Sequence, residues 1–184
     1  MVTEEQKKFL LRLARESILS WLENREVDIT QPNDEIFEKK IGGFVTLHNQ
    51  GQLRGCIGYI KGYCSVFETI KDMARSAAFR DPRFLPLTKK ELKEIDIEIS
   101  LLSELELVKD IEEIKVGRDG LVLENETASG ILLPQVPVEW NWDRDTFLQQ
   151  VSLKAGLNKN AWKDPQCELF RFQAEIFSEP KKSV

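Results

Sequence analysis

Between Ile95 and Leu101 every second residue is apolar: Ile95, Ile97, Ile99 and Leu101 alternate with Asp96, Glu98 and Ser100. Successive side chains of a strand leave opposite faces, so this run specifies a strand with one face in a core and the other polar. Leu105 and Leu107 carry the alternation on after a break. Any fold for this chain has to place that strand in a sheet with a single apolar face.

The neighbouring segments supply the rest of such a sheet. Residues 44–48 and 53–60 are short β-rich runs separated by Asn49-Gln50-Gly51-Gln52, a turn signal, and together predict a hairpin. Gly42 and Gly43 precede it and permit an unusual backbone entry. Residues 120–124, 130–133 and 169–177 read as further strands. Three helices are expected. The first covers residues 4–23, capped by Thr3. The second starts at a Ser65-x-x-Glu68 capping box, carries the stripe Val66, Ile70, Met73, Ala77, and stops near Asp81 because Pro82 follows. The third runs from Asp143 to about Ala155, with Gly156 as its left-handed stop. Residues 24–34, polar and containing Pro32, read as a loop; residues 89–94 and 110–114 read as short helical turns; residues 179–184 read as a solvated tail. Hairpins dominate and no regular βαβ alternation appears. The expected class is α+β, one domain over residues 1–178 with a largely antiparallel sheet flanked by helices.

Composition narrows the function classes. The formal charge of −5 argues against a general phosphate-backbone binder. Three cysteines, Cys56, Cys64 and Cys167, without regular spacing do not form a disulfide framework, and the simplest reading is reduced thiols in a cytoplasmic protein. No run approaches the roughly 20 apolar residues of a membrane helix. With His48 the sole histidine and no Cys-x-x-Cys, no metal site is expected, and no nucleotide-binding glycine motif is present, so no cofactor is indicated.

The most informative stretch is Leu53-Arg54-Gly55-Cys56-Ile57-Gly58. On a regular strand Arg54 and Cys56 share a face, about 6.6 Å apart, and a nearby cation favours the reactive thiolate. Gly55 and Gly58 leave room for a ligand or another backbone. Two readings stay open: an activated cysteine, or a small apolar residue under a helix. In Arg80-Asp81-Pro82-Arg83 the aspartate can hold one arginine and leave the other for a carboxylate or phosphate, or simply fix the turn. Phe84 and Leu87 read as core anchors. Gln135, after Pro134, is a polar group beside an apolar wall that orients a ligand or ties a backbone edge. Glu98 is a general-base candidate or a solvated carboxylate. A Cys56–His48 pair across the hairpin lacks a third, orienting group. Trp140, Trp142 and Trp162 form an aromatic region that packs in the core or offers a surface.

Taken together, Gly43-Phe44-Val45-Thr46, the Leu53–Gly58 hexapeptide, Ala78 through Leu87 with Glu91-Leu92, Glu98 to Leu102, Leu132 to Val136, Lys154-Ala155-Gly156-Leu157 and Trp162 resemble the AMMECR domain family. The resemblance covers the chain from the first helix to about Phe177. It departs at Tyr59 to Tyr63, where many relatives carry a proline and this chain has none. It implies a fold of two lobes with a cleft faced by the motifs, and no settled activity. Prokaryotic members are similar to components of a system that also contains a Memo-type protein and a radical-SAM protein, which implies an enzyme or an accessory factor. A housekeeping role around nucleic acid is also supposed for the family.

These readings give a first expectation of a small-molecule site, with Cys56 as nucleophile or covalent anchor. Arg54 lowers its pKa or holds an anionic substrate. Arg80 or Arg83 clamps a carboxylate or phosphate with Asp81 as orienter, and Gln135 and Glu98 support. The alternative is a binding or accessory module whose motif face docks a protein partner.

Overall fold

The computed structural model describes residues 2–180. The chain divides into two compact units, one made of the residues up to Leu101 together with those from Glu175 on, the other of Leu102–Ala174. Each mixes helices with antiparallel strands, the α+β class expected.

In the first unit the helix α1 (Glu4–Leu22) opens with a reciprocal capping box between Thr3 and Gln6 and buries Leu10, Leu13, Ala14 and Ile18. A single helical turn, α2 (Glu35–Glu38), is capped by Asp34 and buries Phe37; it lies just past the predicted loop. Strands β1 (Gly43–Asn49) and β2 (Gln52–Tyr59) form the hairpin, turning through Gln50 and Gly51, both at positive φ. Helix α3 (Val66–Phe79) buries the predicted stripe of Val66, Ile70, Met73 and Ala77. Its capping box is only half made. The Glu68 N–H donates to Ser65 Oγ, while the Glu68 carboxylate holds Lys71.

Strand β3 (Ile95–Leu102) pairs antiparallel with β1, which also pairs with β2. The alternation resolves as predicted: Ile95, Ile97, Ile99 and Leu101 join Val45, Leu47, the α1 stripe and the α3 stripe in one core. Asp96 and Glu98 stay half-buried on the other face. Ser100 is buried there, its hydroxyl without a hydrogen-bond partner.

The second unit holds β4 (Glu106–Leu107), β5 (Asp119–Glu124), β6 (Ser129–Leu132), the short α4 (Gln135–Glu139), α5 (Arg144–Lys154) and the first part of β7 (Glu168–Ser178). β5 pairs antiparallel with β6 and β7, and β4 with β7. Asp143 caps α5, and Gly156 follows it at φ +77° as predicted. Phe147, Leu148 and Val151 pack on Leu121, Leu123, Leu132 and Leu169. Trp142 and Trp162 pack against this core. Trp140 is exposed and stacks on Trp142.

One prediction is corrected at the C-terminus. Glu179 is not part of a solvated tail: its carboxylate takes Arg15 and the Ile97 N–H, and its own N–H donates to Ile97 O. The remainder of that predicted tail from residue 181 lies outside the described residues.

Candidate functional site

Cys56 is half-buried on β2, with its backbone turned away from β1. Its N–H donates to Asp81 Oδ2 at 2.9 Å, and its C=O accepts from Arg83 Nη2 at 3.3 Å. The pair that does this is fixed by the end of α3. After Arg80 closes the helix, Pro82 forces the chain out of α geometry and leaves Asp81 buried against β2. Arg83 then folds back on Asp81 in a bidentate fork, Nε to Oδ1 at 2.9 Å and Nη2 to Oδ2 at 2.7 Å. The Arg83 side chain keeps 53% of its surface exposed, whereas that of Asp81 keeps 2%. No hydrogen bond to a described residue engages Arg83 Nη1.

The two faces of β2 are set by its glycines. A Cβ on Gly55 would lie 2.2 Å from the Ala77 carbonyl oxygen of α3, and one on Gly58 would meet the Phe44 ring and the Gly43 oxygen at 2.3–2.4 Å. Both predicted ligand-approach positions are therefore filled by close packing of this chain itself. Gly55, Ile57 and Tyr59 face the helices; Cys56 lies on the polar face with Thr46, its register partner, whose Oγ1 is 3.2 Å from Sγ.

Arg54 departs from the expected geometry. Leu47 pairs with Gly55 but His48 pairs with Leu53, so Arg54 is the extra residue of a β-bulge and the alternation of side chains breaks there. Arg54 Nε donates to Glu91 Oε1 and Nη2 to Leu85 O, each at 2.9 Å; its Nη1 is buried without a partner. The guanidinium acting on the thiol is that of Arg83. The register also corrects the Cys56–His48 pair, because His48 lies opposite Leu53 and Cys56 opposite Thr46. Glu91 is locked in turn by Thr88, whose N–H and hydroxyl both donate to Oε2 at 2.9 Å.

Phe84 was expected in the core. It instead lies under both arginines, with the Arg54 and Arg83 guanidinium carbons 5.7 and 5.5 Å from its ring centre. Leu87 is the core anchor of this segment. Arg80 is exposed and stands over Trp21 at 5.8 Å, apart from the Asp81–Arg83 fork. Gln135 opens α4 in the other unit, where its Oε1 is buried without a hydrogen-bond partner.

Electrostatics follow from these contacts. Burial pushes the Cys56 thiol above its ordinary range; the Thr46 hydroxyl and Arg83 pull it back in part, and the carboxylates of Asp81 and Glu98 push the same way as burial. The thiol therefore rests protonated at neutral pH. The Arg83 fork holds the Asp81 carboxyl far below the usual range, and Arg54, then Thr88, hold Glu91 down to about 2. From sequence, Thr46 and Glu91 had no site role and Phe84 was placed in the core. The Thr88-x-x-Glu91 spacing is a capping-box signature that flags a fixed carboxylate.

A family model described as AMMECR1 matches residues 11–177. Protein TK0174 of Thermococcus kodakarensis is 47% identical over 192 residues, covering 97% of this chain and 92% of that protein. Protein MJ0810 of Methanocaldococcus jannaschii is 40% identical over 187 residues, with coverage of 97% and 92%. The crystal structure of uncharacterized protein PH0010 from Pyrococcus horikoshii superposes with a TM-score of 0.90 at 38% identity, covering 97% of this chain and 93% of that one. With the family model spanning most of its length and relatives this similar over nearly all of it, the chain belongs to the AMMECR1 family.

Proposed function

We propose that the first unit is a binding site for a small molecule with a carboxylate or phosphate group, received by Arg83 beside the Cys56 thiol. The observation that carries this reading is the Asp81–Arg83 fork. Three contacts fix the plane of the guanidinium, yet half the side chain's surface stays exposed and no described residue accepts from Nη1. The two N–H groups of Nη1 are the donors left to an anion, on a guanidinium already held rigid, so binding does not have to order it. The Arg54 guanidinium lies against the same ring and adds positive charge there, its Nη1 buried without a partner. Cys56 acts in this reading as a neutral thiol in the resting site. Covalent chemistry at Sγ requires a bound ligand to change the balance of charges around it.

The test is thermal unfolding with acetate, inorganic phosphate and citrate, for wild type and Arg83→Gln. At least one anion should raise the wild-type midpoint by about 2 °C or more, through binding to the folded state alone. The variant should lose that shift. An equal shift in both proteins, or none in either, sinks the proposal.

A second reading is favoured by Leu85, 83% exposed at the tip of the loop that Arg54 holds, and by Leu53, 42% exposed on β2. Large apolar residues beside a rigid polar cluster suit a protein-docking face. A Memo-type or radical-SAM partner is the one the family association proposes. Capture of such a partner should then survive Cys56→Ser and fail with Leu85→Asp; the reverse pattern favours the small-molecule site.

A further inference from the structure

We infer that the ligand of this site is dipolar, with its acidic group at Arg83 and a cationic group at Glu98. This rests on the reading of the first unit as a small-molecule site.

The register places three polar side chains in one row across the sheet: Cys56 on β2, Thr46 on β1 and Glu98 on β3. All three leave the face opposite the isoleucines. Cys56 directs its N–H and C=O to Asp81 and Arg83, so Thr46 and Cys56 form a non-hydrogen-bonded pair with close side chains, as the 3.2 Å contact shows. Two strand spacings separate the ends of the row, about 10 Å. Thr46, buried and short, forms its floor. Two residues further along β3, on the same face, Ser100 adds a buried hydroxyl with no partner.

Charge selects the ligand. Arg54 is neutralised by Glu91 and Arg83 by Asp81. Glu98, close enough to act on the Cys56 thiol, has no ion pair with a described residue. Two guanidiniums thus face three carboxylates, a surplus of one negative charge. A simple anion gains the directed donors of Arg83 but enters a negative neighbourhood. A molecule that also carries an ammonium satisfies Glu98 at the far end of the row.

Three probes separate the cases: 6-aminohexanoate, whose extended chain spaces its charged ends by roughly 8–9 Å, hexanoate, and hexylamine. The readout is the alkylation rate of Cys56 in the full chain, with Cys64 and Cys167 as internal controls. The thermal midpoint of the same samples is a second readout that needs no reactive thiol. At equal concentration, 6-aminohexanoate should bind wild type about ten-fold more tightly than either half-molecule, the worth of one charge-assisted contact. Glu98→Gln should abolish that preference and bring hexanoate level with it. If hexanoate matches 6-aminohexanoate on wild type, the dipolar ligand is overturned while the anion site stands. If none of the probes changes either readout, and acetate, phosphate and citrate do not either, the site reading falls and takes this inference with it.

Discussion

Asp81 Oδ2 accepts the backbone N–H of Cys56 at 2.9 Å, so a carboxylate at the end of a helix occupies the place where a further strand would bond. The Cys56 carbonyl is taken by Arg83 in the same way. One side-chain pair thus mimics one rung of a β-ladder on a strand that carries the thiol, and it fixes that strand. Asp81→Ala removes the acceptor and frees Arg83. The expected result is a loss of about 1–3 kcal/mol, the cost of unmaking a charge-assisted bond to a buried donor. Hydrogen exchange at the Cys56 amide should accelerate strongly, while amides in β1 stay protected. Unchanged Cys56 exchange contradicts the ladder role.

Gly55→Ala tests the contact between β2 and α3. The added Cβ meets a backbone oxygen, Ala77 O, at 2.2 Å, and backbone cannot rotate aside as a side chain does. Helix and strand must separate, at a cost of about 1–3 kcal/mol or more. Urea unfolding gives the number. A neutral result means that Gly55 is there for something other than packing.

Acid should uncouple Arg54 from Glu91. The Glu91 carboxyl is held down to about 2 in the folded state, against an ordinary value near 4.3 in an unfolded chain. A depressed acid stabilises the fold above its unfolded pKa and loses that contribution as pH falls through the folded value. The stability difference between wild type and Arg54→Met should therefore be constant above about pH 5, shrink between about pH 4.5 and 2, and level off below at what the Leu85 and Phe84 contacts of Arg54 contribute. A difference that does not change over this interval means that the pair contributes nothing to folding.

How much of this was legible in the sequence depends on which physics set each feature. Strand β3, the hairpin and the three long helices follow from periodicity, caps and turn residues, which are local, and all were readable. The short helix α4 was not read, because the five residues after Pro134 are too few to display a helical period. The fork of Asp81 and Arg83 was readable as a pair, but not its target. Only the tertiary approach of α3 to β2, permitted by Gly55, brings Asp81 to the Cys56 N–H. The position of Arg54 turned on a single bulge, and one unpaired residue sent its guanidinium to Glu91. Thr46 and Glu98 join Cys56 through register, which a lone sequence does not display.

The thiol itself should behave as a buried, protonated group. Alkylation of Cys56 should follow a pH profile with its midpoint above the ordinary value of about 8.5. Thr46→Val removes a hydrogen bond that favours the thiolate and should move the midpoint higher still. Because the unfolded chain ionises first, this group costs stability as pH rises past about 8.5. A midpoint at or below the ordinary value contradicts the resting state assigned to the site and restores Cys56 as a standing nucleophile.

Arg15 and Glu179 close the first unit. Arg15 Nε donates to Glu179 Oε1 at 2.7 Å, its Nη2 reaches Oε2, and it also bonds the Leu92 and Ile95 carbonyls at 2.7 and 2.9 Å. Glu179 returns to β3 through Ile97, accepting its N–H at 3.1 Å and donating to its O at 2.9 Å. The chain end therefore ties α1 to β3 through two side chains that are both largely shielded. Glu179→Ala leaves Arg15 with unpaired charge and Ile97 without its acceptor, an expected cost of about 2 kcal/mol. Glu179→Gln keeps the shape and loses the charge, so its cost should be smaller. Ending the chain at Ser178 removes the backbone bond as well and should cost more than either. Urea midpoints for the three proteins give the order; if Glu179→Ala matches wild type, the predicted solvated tail was the better description of this segment after all.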